Sequence, residues 1–244
     1  MPPTATQPRA GRPALFMRWL HLAFIHWPVP PETVRRLLPP GLELDTFDGQ
    51  AWVGLVPFTM RDVRPFDAFG VPTATHFHEC NVRTYARDAD GTLGVWFFSL
   101  DAQSRLAVLG ARLTFNLPYF YARMSLDRTG DTVRYSTTRS VNPRAALRCE
   151  WEAGSPLPAS EPGSLAWFLT ERYALFSVGR RGRICRGRIT HPRWPLRDAR
   201  LLSIDDGLVA AAGIDVRNSG APIVWHADRL DVDAFALERV GDGR

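Results

Sequence analysis

The sequence predicts a mostly β, α+β fold: an antiparallel β-barrel or strongly curved sheet with a few short peripheral helices. Three observations predict it. Apolar and alternating runs of strand length recur along the chain between turn-forming clusters. Only the stretch 101–115 holds a helical period over several turns. No repeat, low-complexity tract or linker with an independent core behind it divides the 244 residues. A disordered, Pro-rich tail is expected over 1–13 and one domain over 14–240.

Taken in order, Phe16 to Trp27 alternates imperfectly and is rich in aromatic and β-branched residues, a long strand ended by Pro28, Pro30 and Pro31. Pro31 at a first turn, with Val34, Leu37 and Leu38 on one side, gives a short helix to Leu38, stopped by Pro39-Pro40-Gly41. Leu42–Asp45, a turn at Phe47-Asp48-Gly49 and the apolar Ala51–Met60 read as a hairpin, with Gly54 marking a bulge or close backbone approach. A Pro-rich loop covers Arg64–Ala74. The next hairpin, His76 to Leu100, is turned by Asp88-Ala89-Asp90-Gly91. Leu106, Leu109 and Leu113 then recur at helical spacing behind Asp101 or Ser104 as N-cap. Tyr119–Leu126 and Thr132–Ser140 flank an Arg-Thr-Gly-Asp turn, and Arg144–Glu152 follows as a strand. Beyond a loop at 153–163, Ser164 caps the helix Leu165–Thr170, and the strand Arg172–Val178 pairs with Arg183–Thr190 across Gly-Arg-Arg-Gly. A strand near 198–204, a helix near 205–212 and a last strand from Ile223 to about Glu238 complete the chain.

Composition excludes several classes. The run Ala14–Val29 is broken by Arg18, His21 and His26 and is too short to span a bilayer, and no signal-peptide layout precedes it; the expectation is a cytoplasmic protein with no membrane partner. Three cysteines, Cys80, Cys149 and Cys185, lack metal-ligand spacing and imply neither a disulfide framework nor a zinc ribbon. The formal charge is +5, yet the arginines are spread along the chain. The basic hairpin around Arg180, Arg181, Arg183, Arg186 and Arg188 has no interleaved aromatic residue, so no nucleic-acid partner is expected. All 30 basic residues are arginine, and the absence of lysine removes every mechanism that needs a lysine amine.

The hairpin at His76–Leu100 carries the candidate chemistry. Strand alternation puts Phe77, Glu79, Asn81, Arg83 and Tyr85 on one face and His76, His78, Cys80, Val82 and Thr84 on the other. Glu79, Asn81 and Arg83 are spaced about 6–7 Å from one to the next, too far for Glu79 and Arg83 to pair but suited to a common ligand. An Arg grips a carboxylate bidentately while a partly desolvated Glu acts as acid or base. On the opposite face His76, His78 and Cys80 offer metal donors but lack a correctly delayed Glu, so neither a metal nor a cofactor is expected. Ser99, Arg172 and Tyr173 are further ligand-lining candidates. Glu171 and His191 rank below them. No nucleophile elbow, P-loop or Rossmann glycine pattern occurs.

The segments HWPVPPETVRRLLPPGLELDTFDGQAWVGLVPF, HECNVRTYARDADGTLGVWFFSLDA, LPYFYARM, FLTERYALFS and HPRWPL, spread over nearly all of 16–240, resemble the uncharacterised YqjF-like family of the acetoacetate-decarboxylase-like superfamily. The resemblance implies a β-barrel with a central cavity. Acetoacetate decarboxylase uses a lysine in a Gly-Phe-Pro-Lys-Lys segment to form a Schiff base with a β-keto acid. The similar segment here is Asn116-Leu117-Pro118-Tyr119-Phe120, which places Tyr119 and Phe120 at the lysine positions, so that activity is not implied. Glu79 is similar to a cavity-facing glutamate of the decarboxylases, and Tyr119 becomes a phenol in place of the amine. The superfamily also implies assembly, so a homo-oligomer is expected.

Two readings follow. One is a binding protein that keeps the cavity for a small organic acid or carbonyl compound. The other is an enzyme using Glu79 and Tyr119 as catalytic groups, with Arg83 as anion anchor and Asn81 polarising an oxygen. The balance leans to binding or small-molecule chemistry without a named reaction. A structural or interaction protein is a third reading.

Overall fold

A computed structural model describes residues 12–65, 75–142 and 144–241. Most of the expected tail and of the Pro-rich loop therefore lies outside the described residues. Among those described, thirteen strands form one sheet: β1 (Leu15–Val29), β2 (Leu42–Leu44), β3 (Ala51–Pro65), β4 (Phe77–Asp88), β5 (Leu93–Ala102), β6 (Tyr119–Thr129), β7 (Thr132–Arg139), β8 (Ala146–Pro156), β9 (Ala174–Val178), β10 (Ile184–Thr190), β11 (Arg197–Asp206), β12 (Ile223–Ala234) and β13 (Glu238–Arg239). Their order is β13-β10-β9-β5-β6-β7-β8-β11-β12-β1-β3-β4-β2, and an extra β4–β5 pairing joins the two arms of the curved sheet. Four short α-helices among the described residues accompany them: α1 (Pro31–Arg35), α2 (Arg105–Phe115), α3 (Leu165–Thr170) and α4 (Leu208–Ala211). No described helix is long and apolar enough to cross a membrane.

The imperfect alternation of the first strand has a local cause. His21 (φ 52°) and Asp62 (φ 55°) take left-handed backbone in β1 and β3, next to register shifts in their pairing. An extra residue in a strand reverses which side chains face which side. Met17 and Trp19 therefore share a core with Leu22 and Phe24 beyond His21, and Phe58 and Met60 share it with Val63 beyond Asp62. The intervening residues Ala23, Ile25, Val53 and Leu55 enter a second core. Strand β4 is buried between the two, with Phe77 and Tyr85 in the first core and Cys80 and Val82 in the second.

Two expectations are corrected. β2 is not the hairpin partner of β3; it pairs with the far end of β4, from Leu42↔Asp88 to Leu44↔Ala86. The β3–β4 ladder ends at Gly54↔Arg83, which leaves the last turn of β4 with an open edge that β2 covers. The leucine period that reveals α2 is not its packing face. Val108, Ala107, Ala111 and Phe115 meet the first core, while Leu106, Leu109 and Leu113 are exposed, Leu113 by 74%. Of the two cap candidates Ser104 is used, its hydroxyl accepting from Ala107 N–H, whereas Asp101 stays in β5. Asp101 is fully buried there and paired with Arg139 at 2.7 Å. Ser164 caps α3 as expected by accepting from Trp167 N–H.

Gly54 holds the close approach read from its place in an apolar strand. A Cβ there would lie 2.6 Å from His26 Nε2 and 3.3 Å from Arg83 Cγ, so the imidazole lies across the glycine. Gly54→Ala is expected to lower the unfolding free energy by about 1–3 kcal/mol through overpacking. A urea midpoint unchanged from that of the parent would contradict this packing.

Candidate functional site

The site begins where α2 gives way to β6. Pro118 O accepts from Leu100 N–H and Tyr119 lies beside Leu100 in the parallel β5–β6 pair. Arg112 on the last turn of α2 donates to Tyr119 O, which fixes the backbone at this corner. Tyr119 is thereby the residue turned into the first core, and its hydroxyl donates to Glu79 Oε2 at 2.8 Å. Glu79 is fixed from the other side too, since Tyr135 OH donates to its backbone carbonyl at 2.8 Å. Burial pushes the Glu79 carboxyl up to about 8, against the pull of the Tyr119 hydrogen bond and with a further push from Asp101. Glu79 is thus a neutral acid at pH 7.

Further along β4, Arg83 lies in one row with His26 and Gly54, from the pairings His26↔Gly54 and Gly54↔Arg83. Residues directly opposite share a face. The Arg83 guanidinium stands over Phe24 at 5.4 Å and donates to Leu169 O at 3.0 Å, while its Nε has no partner. Tyr85 OH also donates to Leu169 O, at 2.7 Å, and lies 2.7 Å from His26 Nε2. Asn81 sits between Glu79 and Arg83 with its Oδ1 buried and unpartnered. Four arginines are buried among the described residues. Arg139, Arg172 and Arg186 each have a carboxylate, Asp101 at 2.7 Å, Asp45 at 2.7 Å and Asp88 at 2.5 Å. Arg83 has none.

The remaining candidates divide. Arg172 stacks over Phe168 at 4.4 Å and pairs with Asp45, tying α3 to the segment after β2. Tyr173 OH donates to Glu171 Oε2 at 2.5 Å, and the same buried carboxylate accepts from Trp194 N–H at 3.0 Å. These groups hold the segments carrying Leu169 and Trp194 against the first core and are engaged with one another. Ser99 is corrected: it pairs with Val82 at a β4–β5 register shift, on the face of the second core, because the irregularity moves Phe97 rather than Ser99 to the Arg83 side. Sequence reasoning missed His26, whose buried position is signalled only by Gly54 across from it. It also missed the buried, unpartnered indole N–H groups of Trp19, Trp52 and Trp194.

The candidate metal donors on the other face of β4 separate. His78 Nδ1 meets Thr59 Oγ1 at 2.9 Å, His76 lies 3.5 Å from Asp62, and Cys80 packs in the second core. The described residues bring His21, His226 and Asp228 together with ligand atoms within 4.8 Å of one another. Trp151 Nε1–H donates to His226 Nδ1 at 3.1 Å, which leaves the proton on Nε2 facing Asp228. Arg128 and Arg197 both reach Asp228 at 3.0 Å, so guanidinium groups already supply the positive charge there. In the basic hairpin, Arg186 and Arg188 are tied to Glu238.

The buried Glu79 makes stability depend on pH. Its folded value is raised above the unfolded one, so the folded state binds the extra proton between about pH 4.5 and 8 and this stabilisation declines as pH rises through that window. The decline from this group is at most about 1.4 kcal/mol per pH unit. Denaturant unfolding between pH 5 and 8 is expected to show the slope in the native protein and a flatter profile in Glu79→Gln. Identical slopes would contradict the assignment.

Comparison with known proteins places the chain by family and fold. A family model described as an uncharacterized conserved protein, DUF2071, matches residues 16–231. The uncharacterized protein YqjF of Bacillus subtilis (strain 168) is 39% identical over 221 residues, covering 91% of this chain and 90% of YqjF. Among solved structures, the enduracididine biosynthesis enzyme MppR complexed with pyruvate superposes with a TM-score of 0.68 at 12% identity over 96% of this chain and 93% of that one. Acetoacetate decarboxylase from Legionella pneumophila subsp. pneumophila str. Philadelphia 1 gives 0.66 at 15% identity over 99% and 92%. At these identities the likeness is one of fold, the acetoacetate-decarboxylase-like fold. The match over 16–231 and the similarity to YqjF make this chain a member of the YqjF-like DUF2071 family of uncharacterized conserved proteins.

Proposed function

We propose that the face of β4 carrying Glu79, Asn81 and Arg83 takes up a small organic acid or carbonyl compound, with the ligand carboxylate against Arg83. The observation that carries this reading is the missing counter-charge. A guanidinium keeps its charge in proteins, and a buried charge is costly unless paired. The other three buried arginines have carboxylate partners, and Arg83, 8% exposed, faces aromatic rings and a carbonyl instead. An incoming carboxylate supplies what is missing through a charge-assisted bond. MppR, a protein of similar fold, has been solved as a complex with pyruvate, and that likeness supports the choice of acid class.

The reading does not extend to Schiff-base decarboxylation. The sequence has no lysine, and the position similar to the decarboxylase nucleophile holds Tyr119, a phenol bonded to Glu79. Burial and the neighbouring Glu79 carboxyl hold that phenol well above its ordinary range, so it serves as a hydrogen-bond donor rather than as a base. One observation favours chemistry beyond binding. A carboxyl held near 8 exchanges protons close to neutral pH, where general acid–base catalysis is efficient. In this second reading Glu79 protonates or deprotonates the carbon beside a ligand carbonyl.

Thermal unfolding with pyruvate, 2-oxobutyrate and butyrate tests the acid site. A native-state ligand at a hundred times its dissociation constant stabilises by about 2.7 kcal/mol. The midpoint is expected to rise with at least one acid in the native protein and to stay level in Arg83→Met. Flat midpoints throughout, or an equal rise in Arg83→Met, contradict the site. For the second reading, deuterium uptake from solvent beside the carbonyl of a bound keto acid is expected to be lost in Glu79→Gln while binding persists.

A further inference from the structure

Helix α2 carries an apolar face that its own chain leaves uncovered. Leu106, Leu109 and Leu113 are 57%, 56% and 74% exposed, and they make up half of the six large hydrophobic side chains exposed among the described residues. Residues three and four apart share a helix face, so Gly110 lies among these leucines. Glycine inside a helix is destabilising relative to alanine, because it loses more backbone freedom on folding. Nothing in the packing of the chain requires it here, since no atom among the described residues lies within 4 Å of a Cβ built at Gly110. Both arginines of the helix are engaged with β6: Arg112 donates to Tyr119 O and lies over Phe120 at 5.8 Å, and Arg105 lies over Tyr121 at 4.6 Å. The helix has no acidic residue.

The spacing of this face is complementary to itself. A two-fold axis crossing the helix midway between Leu109 and Gly110 sets Leu106 opposite the partner's Leu113 in an antiparallel pair, and Leu109 opposite the partner's Gly110. Each Leu109 then enters the gap left by a missing Cβ, as a side chain enters the hole between residues of a facing helix. The same axis sets Arg105 opposite the partner's Thr114 and Arg112 opposite the partner's Ala107, so no like charges meet. A lipid surface calls for basic side chains free to reach headgroups, whereas both arginines here are held on β6. Area sets the strength of the contact. A helix of 11 residues is about 16 Å long and about 10 Å wide, and its face alone falls short of the about 800 Å² per partner of a standard interface. Neighbouring apolar groups extend it. Val141, 77% exposed, follows Ser140, whose N–H donates to the carbonyl of Tyr121 beneath Arg105. The expected dimer is therefore a reversible one.

We infer that α2 is a self-association surface: two copies of this chain pair antiparallel through Leu106, Leu109 and Leu113, with Leu109 of each copy seated on Gly110 of the other. The inference goes beyond the acid site on β4 and does not depend on it.

Sedimentation velocity of the full chain across the micromolar range tests it, and a monomer–dimer equilibrium is expected. Leu109→Glu is expected to weaken association about tenfold or more, with an unchanged melting midpoint for the monomer because the side chain is exposed there. Gly110→Leu separates a seated leucine from general stickiness: added apolar area would strengthen non-specific association, whereas filling the gap is expected to weaken this dimer about tenfold or more. Cysteine substitution reads the orientation without a large change in the helix. Oxidised together, the Leu106→Cys and Leu113→Cys proteins are expected to form a disulfide-linked dimer, and neither does so alone; the native cysteines are buried and do not compete. A monomer at every concentration, a dimer unaffected by Leu109→Glu, a dimer tightened by Gly110→Leu, or cross-linking of Leu106→Cys with itself overturns the inference. So does a monomer that sediments with anionic phospholipid vesicles, which would assign the face to a lipid surface.

Discussion

The first core is organised around a charge that the protein chain does not neutralise. Placing Arg83 on a strand buried on both faces removes its guanidinium from water, and a backbone carbonyl, the Tyr85 hydroxyl and aromatic faces receive it. The same chain shows how it treats a buried guanidinium that is structural. Arg139 has Asp101, Arg172 has Asp45 and Arg186 has Asp88, each at ordinary ion-pair distance. Those pairs fasten strands and loops to one another. Arg83 fastens to Leu169 O and the Tyr85 side chain, with no carboxylate among its partners, and this difference is what the proposed acid site rests on.

Several features of the fold surround that face. Reversed alternation at His21 and Asp62 lets β1 and β3 supply aromatic walls on both sides of a bulge without exposing the second core. Gly54 leaves room for His26, and α3 brings Leu169 O within reach of both Arg83 and Tyr85. Glu171, through Tyr173 and Trp194, ties the chain beyond α3 to the same wall. At the other end Tyr119 completes the strip by hydrogen-bonding Glu79, whose protonation range burial raises against the pull of that bond. The strip thus runs from a neutral acid to an uncompensated cation, with an amide between them.

Much of this was legible in the chain because it depended on local rules. The period-2 pattern from Phe77 to Tyr85 placed Glu79, Asn81 and Arg83 on one face, and the Pro118 corner with a period-3.6 run before it placed Tyr119 at a strand start. What failed to show was set by long-range pairing. β2 read as a hairpin partner of β3 because turn residues lie between them, whereas the length of β4 beyond the β3 ladder decided its place. Ser99 read as a pocket residue because a one-residue irregularity cannot be seen in an apolar strand, and it reverses the face. His26 gave no signal of its own: a histidine at the end of an aromatic strand looks like core until the glycine opposite it is known to be its neighbour. The exposed leucines of α2 revealed the helix but not which side of it packs.

Whether Arg83 is a binding group is decided by a crystal structure of the protein grown with a saturating small organic acid such as pyruvate. Carboxylate density is expected at hydrogen-bond distance from Arg83 Nε, with Glu79 still bonded to Tyr119. Density for the acid elsewhere on the molecule, with Arg83 unchanged against Phe24 and Leu169, would contradict an acid site on β4.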